Sequence, residues 1–372
     1  MPDGEAQEPG LRADHRLHAW LRRPPPCLCL ADLPTPVEPA PWIDPSAEVW
    51  VKRDDHSSDL YGGGKVRKFE WLLASAPFAG DGPVLSVGGI GSNHLVSLAL
   101  FLRRFGRPLH ALTFEQVVTP HVRDNLATIA SLGAGLWHVR TRTRLPLAYL
   151  AYHGWARPPR RGPMMAPGGS SGRGGLGFVL AGVELADQIE GGLVPAPATI
   201  YVTGGSAGSS AGLALGLALA GVKVHLRIVS AVERWAFGPF FYRRMLRQIF
   251  AEMVAHGLLD SLATGGAAGL LARAGVTWSI DHTQVGPGYA VPTPAGRDAV
   301  ALAGAHGLHL DTTYTGKCLA ALLSDLAAGR VRAPVLFWNT HAGVDLRRWI
   351  RPGWEDALPH RLRVRLPALA DG

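Results

Sequence analysis

The sequence predicts an α/β protein built from two doubly wound lobes with mostly parallel sheets. Two observations support this fold class. From Val84 onward, short apolar runs alternate with segments of helical periodicity, which is typical of parallel strands joined by crossover helices. The alternation is interrupted once, by a proline- and glycine-rich stretch over residues 141–175, which indicates a connection between two lobes.

The first run of alternation predicts a βαβαβ unit. Gly106 provides a stop signal for the first helix, and Pro120 stands at the start of the second. Strands are predicted at 84–89, 109–115 and 136–140, and helices at 93–106 and 119–134. Such a unit requires parallel pairing and right-handed crossovers.

The alternation resumes after the interruption and continues to residue 340. Helices are predicted at 176–189, 209–220, 241–256, 294–306 and 317–328, and strands at 199–205, 223–231, 276–281 and 334–340. In folds of this class, ligands bind at the carboxyl ends of the strands, so we expect the site there, between the lobes.

Composition limits the classes of function. The 372 residues are 47% hydrophobic and 18% charged, and the net charge of +8 is spread over scattered arginines, which favours anionic small molecules over nucleic acid. Cys27, Cys29 and Cys318 form neither a disulfide framework nor a zinc site, so we expect a cytoplasmic protein without a metal. The longest uncharged run, 191–222, contains prolines, and its helical part rises only about 18 Å, so we expect no membrane span. Residues 1–12 lack the apolar core of a signal peptide.

Lysine is rare in this chain, which makes "LYGGGKVRKFEWLL" at 60–73 informative. There are five lysines among 37 basic residues, and Lys65 follows three glycines at the start of a predicted helix. Unlike guanidinium, an amine can lose its proton and attack a carbonyl. Burial and the helix dipole both favour the neutral amine, whereas Lys65 taken alone would be better interpreted as part of a solvated helix start.

Two glycine-rich loops follow predicted strands. "YVTGGSAGSSAG" at 201–212 offers backbone N–H groups and hydroxyls at a helix start, which suits a phosphate monoester. It lacks the lysine of a Walker A loop, and the next strand lacks the acidic residue of a dinucleotide site; a plain glycine-rich turn is the alternative. "SVGGIGSNHLVS" at 86–97 suits a carboxylate or phenolate, or provides a simple N-cap.

A phosphate cradle, a Schiff-base lysine and a second anion loop together suggest pyridoxal phosphate. Five blocks resemble the D-cysteine desulfhydrase / 1-aminocyclopropane-1-carboxylate deaminase family of fold-type II pyridoxal-phosphate enzymes, which have a tryptophan synthase beta-like fold: "VKRDDHSSDLYGGGKVRKFEWLL", "SVGGIGSNH", "GGSAGSSAGL", "GPGYAVP" and "DTTYTGKCLAALL". The resemblance extends from about residue 33 to 345. It implies a homodimer that acts on a small amino acid, with a large cofactor lobe (1–66 plus 176–372) and a small lobe (67–175) closing over the substrate.

The resemblance also implies residue roles. Lys65 would carry the cofactor, Ser92 would contact the substrate carboxylate, and Asn93 would bind the cofactor's phenolic oxygen, with His94 beside the substrate. Tyr289 and Tyr314 would approach the substrate as catalytic groups. The phosphate loop would comprise Gly205, Ser206, Ala207, Gly208 and Ser209.

Thr315 and Thr340 are identified with the cofactor-binding positions that separate the two activities of the family. The resemblance implies threonine at both in desulfhydrases, against glutamate and leucine in the deaminases. A hydroxyl near the pyridine nitrogen suits elimination of a good leaving group, so D-cysteine is expected to give pyruvate, ammonia and hydrogen sulfide.

The alternatives are cyclopropane ring opening, elimination from another β-substituted alanine, and a non-catalytic cofactor-binding relative. A NAD-dependent oxidoreductase is disfavoured, because the strand after the loop at 201–212 lacks the acidic residue of a dinucleotide site. Gly64, Gly91 and His341 depart from the usual asparagine, glutamine and glycine.

Overall fold

The computed structural model describes residues 10–12, 15–46, 48–155 and 161–370. Its strands are β1 (Val37–Pro39), β2 (Val49–Arg53), β3 (Val84–Gly89), β4 (Leu109–Phe114), β5 (Gly135–Val139), β6 (Met164–Met165), β7 (Thr199–Gly204), β8 (His225–Ser230), β9 (Thr277–Asp281) and β10 (Val335–Asn339). Its α-helices are α1 (Val66–Leu72), α2 (Asn93–Arg104), α3 (Pro120–Ser131), α4 (Leu145–Trp155), α5 (Gly172–Glu190), α6 (Gly208–Leu219), α7 (Pro239–Ala255), α8 (Asp260–Ala263), α9 (Gly266–Ala274), α10 (Pro294–Ala305), α11 (Thr315–Ala327) and α12 (His360–Ala370). Among the described residues, no helix combines the length and apolar character needed to cross a membrane.

The chain divides into two compact units. The larger comprises Leu11–Leu72 and Ser170–Gly343, and the smaller comprises Leu73–Gly169 and the described residues from Val344 onward. These limits differ from the expected ones mainly at the carboxyl terminus, which was expected in the larger lobe. The reason is packing: Trp354, Leu358 and Leu362 share a buried cluster with side chains of α3 in the smaller unit.

The larger unit has a six-stranded sheet in the order β1-β2-β10-β7-β8-β9. β1 is antiparallel to β2, and the other neighbours are parallel. Both faces are covered, because Leu336 and Trp338 of β10 pack with α5, α6 and α7 while Val335 and Phe337 pack with α10 and α11. Burial on both faces explains why the strands read as continuous apolar runs. The predicted α/β, mostly parallel fold is confirmed.

The smaller unit has a fully parallel sheet in the order β5-β4-β3-β6. The start of α3 follows local capping rules, since the Thr119 hydroxyl accepts a hydrogen bond from the Val122 N–H and Pro120 occupies the first helical position. The stretch 141–175, predicted as a connection between lobes, contains the boundary between the two units after Gly169, but it also contains α4 and β6. α4 is apolar nearly all round, so it lacks the amphipathic period that marks a helix in sequence.

Helices α5 and α6 cross at backbone contact, which glycines on both helices allow. A Cβ on Gly216 of α6 would lie 2.1 Å from the Val179 carbonyl oxygen, and a Cβ on Gly182 of α5 would lie 2.7 Å from the Leu217 nitrogen. α6 follows the glycine- and serine-rich loop, so this contact fixes the loop against the rest of the unit.

We expect Gly216→Ala to lower the free energy of unfolding by about 1–3 kcal/mol, since a carbonyl oxygen cannot yield to the added methyl group. Gly304→Ala is the matched control, because Gly304 is an exposed residue of α10 and a Cβ added there would meet no atom within 4 Å outside its own helix turn. There the same change should raise stability by about 0.5–1 kcal/mol. Urea unfolding of both variants measures the difference, and equal effects would contradict the close helix contact.

Candidate active site

Five parallel strands of the larger unit end at one edge of its sheet. The segments that follow four of these strands carry most of the expected site: Lys65 after β2, Thr340 after β10, Gly205–Ser209 after β7 and Tyr289 after β9. Glu233, which the sequence did not single out, follows β8. This carboxyl edge is where ligands bind in open α/β sheets. The expected cofactor residues of the larger unit are therefore brought to one edge by topology.

The glycines before Lys65 pack tightly against the segment that follows β10. Gly63 has φ +83°, a conformation that favours glycine, and the Gly64 N–H donates to the Thr340 carbonyl at 3.1 Å. A Cβ on Gly64 would lie only 2.6 Å from the Phe178 ring. Phe178 thus fills the space that the asparagine expected at position 64 would need.

Lys65 directly precedes α1, and its side chain is half-buried. Burial lowers the pKa of Lys65, and the carboxylate of Asp311 opposes this shift. A lowered pKa increases the neutral fraction of the amine, which is the form that reacts with an aldehyde. The local environment of Lys65 is therefore suited to the expected chemistry.

Lys68 lies one helical turn further on, beside the glycine- and serine-rich loop. Its Nζ lies 3.2 Å from Ser170 Oγ, which in turn is 2.7 Å from Ser206 Oγ of that loop, and a Cβ on Gly208 would lie 3.1 Å from the amine. Burial holds the pKa of Lys68 well below its usual range, and the charge of Lys65 lowers it further. A bound anion would favour the ammonium form of Lys68.

The loop itself is shaped for an anion. Ala207 adopts a left-handed conformation with φ +65°, and α6 begins at the next residue, Gly208. This places backbone N–H groups of a twelve-residue helix and the small residues Ser209 and Ser210 at the helix start. The loop and Lys68 together can hold a phosphate group.

Tyr289 and Tyr314 form a pair at the same sheet edge. Their hydroxyl oxygens are 2.8 Å apart, and their rings meet edge to face at 6.1 Å. A Cβ on Gly205 would lie 3.2 Å from the Tyr314 ring, so this ring contacts the anion loop. Two phenols in hydrogen-bond contact can pass a proton to an acceptor beside them.

Thr315 is buried at the first residue of α11, and Asp311 engages its hydroxyl. The hydroxyl donates to Asp311 Oδ1 at 2.8 Å, and the Thr315 N–H donates to the same oxygen. Asp311 therefore satisfies the first backbone N–H of α11 and fixes the residue that follows Tyr314. Next to Thr340, His341 is buried and its backbone N–H donates to Asn339 Oδ1. The cofactor contacts of Thr315 and Thr340 stay predictions.

A buried charge network anchors α1, which begins directly after Lys65. The Arg67 guanidinium donates to both carboxylate oxygens of Asp54 and to both of Glu184. Lys52 Nζ lies 2.5 Å from Glu184 Oε1, and Trp338 Nε1 donates to Asp54. Two cations face two carboxylates in this cluster, and the first turn of α1 is tied to both the sheet and α5.

In the smaller unit, Ser92 is the N-cap residue of α2 and Asn93 is the first residue of that helix. The side-chain oxygen of Asn93 accepts a hydrogen bond from Asn125 Nδ2 at 2.8 Å and lies 2.7 Å from His121 Nε2. Since this oxygen can only accept, His121 is assigned as the Nε2–H tautomer. Two donors thus fix the orientation of the Asn93 amide.

His94 and Gly91 belong to the same segment, 86–97, as Ser92 and Asn93. His94 is buried, and its Nε2 lies 2.9 Å from Ser86 Oγ, so the imidazole packs against β3. A Cβ on Gly91 would lie 2.5 Å from Val122 Cγ1, which shows that α3 occupies the space a glutamine would need. The substrate contacts assigned to Ser92 and His94 stay predictions.

Sequence reasoning missed Lys68, His121 and Asn125 as supporting residues. A signal for Lys68 existed, because a lysine three residues after Lys65 lies one helical turn away. No local signal marks His121 or Asn125, since their contact with Asn93 spans 28 and 32 residues of sequence.

Comparison with known proteins identifies the family. A family model described as "Pyridoxal-phosphate dependent enzyme" matches residues 28–340. The chain belongs to this family. It is 31% identical over 330 residues to a D-cysteine desulfhydrase of Salmonella paratyphi A, covering 85% of this chain and 93% of the relative. It is 32% identical over 330 residues to a nocardicin C-9' epimerase of Nocardia uniformis subsp. tsuyamanensis, covering 85% and 92%.

Solved structures of other proteins share the fold. The crystal structure of an ACC deaminase homologue matches with a TM-score of 0.69 at 24% identity, covering 87% of this chain and 93% of that one. A threonine deaminase isoform 2 from Solanum lycopersicum matches with a TM-score of 0.53 at 12% identity, covering 96% and 85%. The expected family, fold and cofactor are therefore confirmed.

The residues of the larger unit fit this cofactor. Its phosphate group matches the start of α6 with its buried neighbour Lys68, and its aldehyde requires an amine such as that of Lys65. Lys65 directly precedes α1, and Lys68 lies in its first turn, three residues further on. One cofactor with an aldehyde and a phosphate accounts for both the half-buried amine of Lys65 and the buried amine of Lys68.

Proposed function

We propose that this pyridoxal-phosphate enzyme eliminates the β substituent of a small amino acid, with D-cysteine as the first candidate substrate. The observation that carries the proposal is the phenol pair Tyr289–Tyr314, whose hydroxyls are 2.8 Å apart at the sheet edge that also carries Lys65. Elimination needs a base for the α proton and an acid for the leaving group, and these residue types supply both. The similarity to a D-cysteine desulfhydrase supports the same choice.

Each group has a defined task in this proposal. When bound, the cofactor supplies an electron sink that acidifies the α carbon of the amino acid. Lys68 and the N–H groups at the start of α6 hold the phosphate, Asn93 binds the phenolic oxygen, and Ser92 binds the substrate carboxylate. Lys65 removes the α proton as a neutral amine, a state that its lowered pKa favours.

The second half of the reaction concerns the departing sulfur. As the carbon–sulfur bond breaks, the phenol pair donates a proton to the leaving thiolate, and hydrogen sulfide departs. Water then converts the remaining three-carbon enamine to pyruvate and ammonia, so D-cysteine and one water give pyruvate, ammonia and hydrogen sulfide. Thr315, whose hydroxyl is held by Asp311, supports this choice over cyclopropane ring opening because it places no carboxylate of its own at that position.

Epimerisation is the second candidate, favoured by the similarity to a nocardicin C-9' epimerase at 32% identity. It shares the removal of the α proton and differs in its return from the opposite face. In that case Lys65 and the phenol pair would act as the two proton carriers.

A substrate panel tests the proposal. The holoenzyme is offered both enantiomers of cysteine, β-chloroalanine and 1-aminocyclopropane-1-carboxylate, and pyruvate and sulfide are measured. We expect stoichiometric pyruvate and sulfide from D-cysteine. In D₂O, deuterium at the α carbon with inversion and no pyruvate would instead establish an epimerase. A cofactor-loaded protein that neither eliminates nor exchanges the α proton would be a non-catalytic relative.

A further inference from the structure

Lys317 is completely buried in the first turn of α11. Burial lowers the pKa of Lys317, and the carboxylates of Asp311 and Glu233 oppose that shift. A cation near a helix N-terminus also opposes the helix dipole. An apolar side chain of similar length would avoid both costs, so the core alone gives no reason for a lysine here.

The contacts of Lys317 point to the segment that carries Tyr289. We call residues 282–293, which connect β9 to α10, the Tyr289 loop. Lys317 Nζ donates to the Val285 carbonyl of this loop at 2.7 Å. On the other side, the Tyr289 N–H donates to Glu233 Oε1 at 3.2 Å, and a Cβ on Gly288 would lie 3.3 Å from the same oxygen.

The Tyr289 loop contains a residue in an unfavourable backbone conformation. Ala290, the residue after Tyr289, is buried and has φ +62°. An alanine in this left-handed region costs about 1–2 kcal/mol, so the surroundings must impose the conformation. Lys317 from α11 and Glu233 from the segment after β8 are polar groups that hold the loop from two different elements.

We propose that Lys317 and Glu233 are positioning residues that hold the Tyr289 loop so that the Tyr289 hydroxyl stays within hydrogen-bond distance of Tyr314. The inference rests on the proposed function, in which this phenol pair protonates the leaving group. Neither residue needs to touch the substrate. Their contribution acts through the placement of one phenol, and a displacement of about 1 Å can cost on the order of a hundredfold in rate.

A double-mutant cycle with Tyr289→Phe tests this role in the holoenzyme. We expect Lys317→Met to lower kcat by about tenfold or more with little change in KM. In the Tyr289→Phe background the same substitution should cost less than about twofold, because the phenol it positions is already gone. Equal losses in both backgrounds would show that Lys317 does not act through Tyr289.

Hydrogen exchange of the substrate-free holoenzyme provides a readout that does not depend on activity. Amides of residues 282–293 should exchange faster in Lys317→Met and in Glu233→Ala, and Glu233→Gln should restore slow exchange because it retains an oxygen acceptor for the Tyr289 N–H. Lys223→Met, at an exposed lysine before β8, is the matched control and should leave exchange unchanged.

The two readouts separate the inference from the function on which it rests. Wild-type turnover by Tyr289→Phe would refute the proposed role of the phenol, while exchange in the loop would still decide whether Lys317 and Glu233 hold it. Unchanged exchange in Glu233→Ala, and in Lys317→Met if that variant folds, would overturn the positioning role whatever the activity.

Discussion

Lys65→Ala is expected to reduce turnover by on the order of a thousandfold or more, because it removes both the amine that carries the cofactor and the proposed base. The half-buried position of Lys65 and its lowered pKa are the structural reasons. The measurement is borohydride reduction of the holoprotein followed by mass analysis of the peptide that spans Lys65. The wild type should carry the reduced cofactor on this residue, and the variant should carry none.

Lys68→Gln separates the two neighbouring lysines. This variant should keep the label on Lys65 but bind the cofactor more weakly, since Lys68 lies beside the loop that would hold the phosphate. Cofactor titration followed by absorbance gives the affinity. A label on Lys68 in the wild type, or full turnover by Lys65→Ala, would refute the assignment of Lys65.

The second large effect is on stability, at Glu184. Glu184→Ala leaves Arg67 and Lys52 buried without this carboxylate, and we expect the free energy of unfolding to fall by about 3–5 kcal/mol. Urea unfolding measures it. Asp345→Asn is the matched control, since Asp345 pairs with Arg347 at the exposed surface and its loss should leave the unfolding midpoint unchanged. An unchanged midpoint in Glu184→Ala would contradict a buried network.

The Glu184 carboxylate also makes the free energy of unfolding depend on pH. The charges of Arg67 and Lys52 overcome the effect of burial and lower the pKa of Glu184 to about 2, against its usual value of 4.5. Because folding favours the ionised form, the stabilisation is fully present above pH 4.5 and is lost as the pH falls towards 2. Between these limits the wild type should therefore lose stability more steeply than Glu184→Gln, and parallel curves would argue against the shift.

The local sequence was sufficient for the elements with clear periodicity. The βαβαβ pattern from Val84 is reproduced, because parallel strands buried on both faces read as apolar runs and the helices of this unit as amphipathic ones. α6 is apolar and buried on nearly every side, and it was predicted from the glycine- and serine-rich loop that precedes it. α4 was missed since its apolar residues surround the helix. The short strands β1 and β2 were missed because a few apolar residues do not distinguish a strand from a loop.

The residues of the candidate site also divide into those that the local sequence predicts and those that it does not. Lys65 and the loop at 205–209 were predicted from residue types that are unusual for their positions, whereas Tyr289 and Tyr314 were predicted from the family resemblance. The residues that hold them were not found. Lys317 reaches Val285 across 32 residues, and Glu184 reaches Arg67 across 117, distances over which no periodicity operates.

The sequence by itself determined the fold class, because apolar runs alternate with helical periodicity along most of the chain. It also determined the cofactor family and the lysine expected to carry the cofactor, because these depend on residue types and spacing within short segments. Only the tertiary structure decided which amines are desolvated, which carboxylates face them and which glycines lie against backbone. Those properties arise when segments distant in sequence exclude water from one another, so they exist only after the chain has packed.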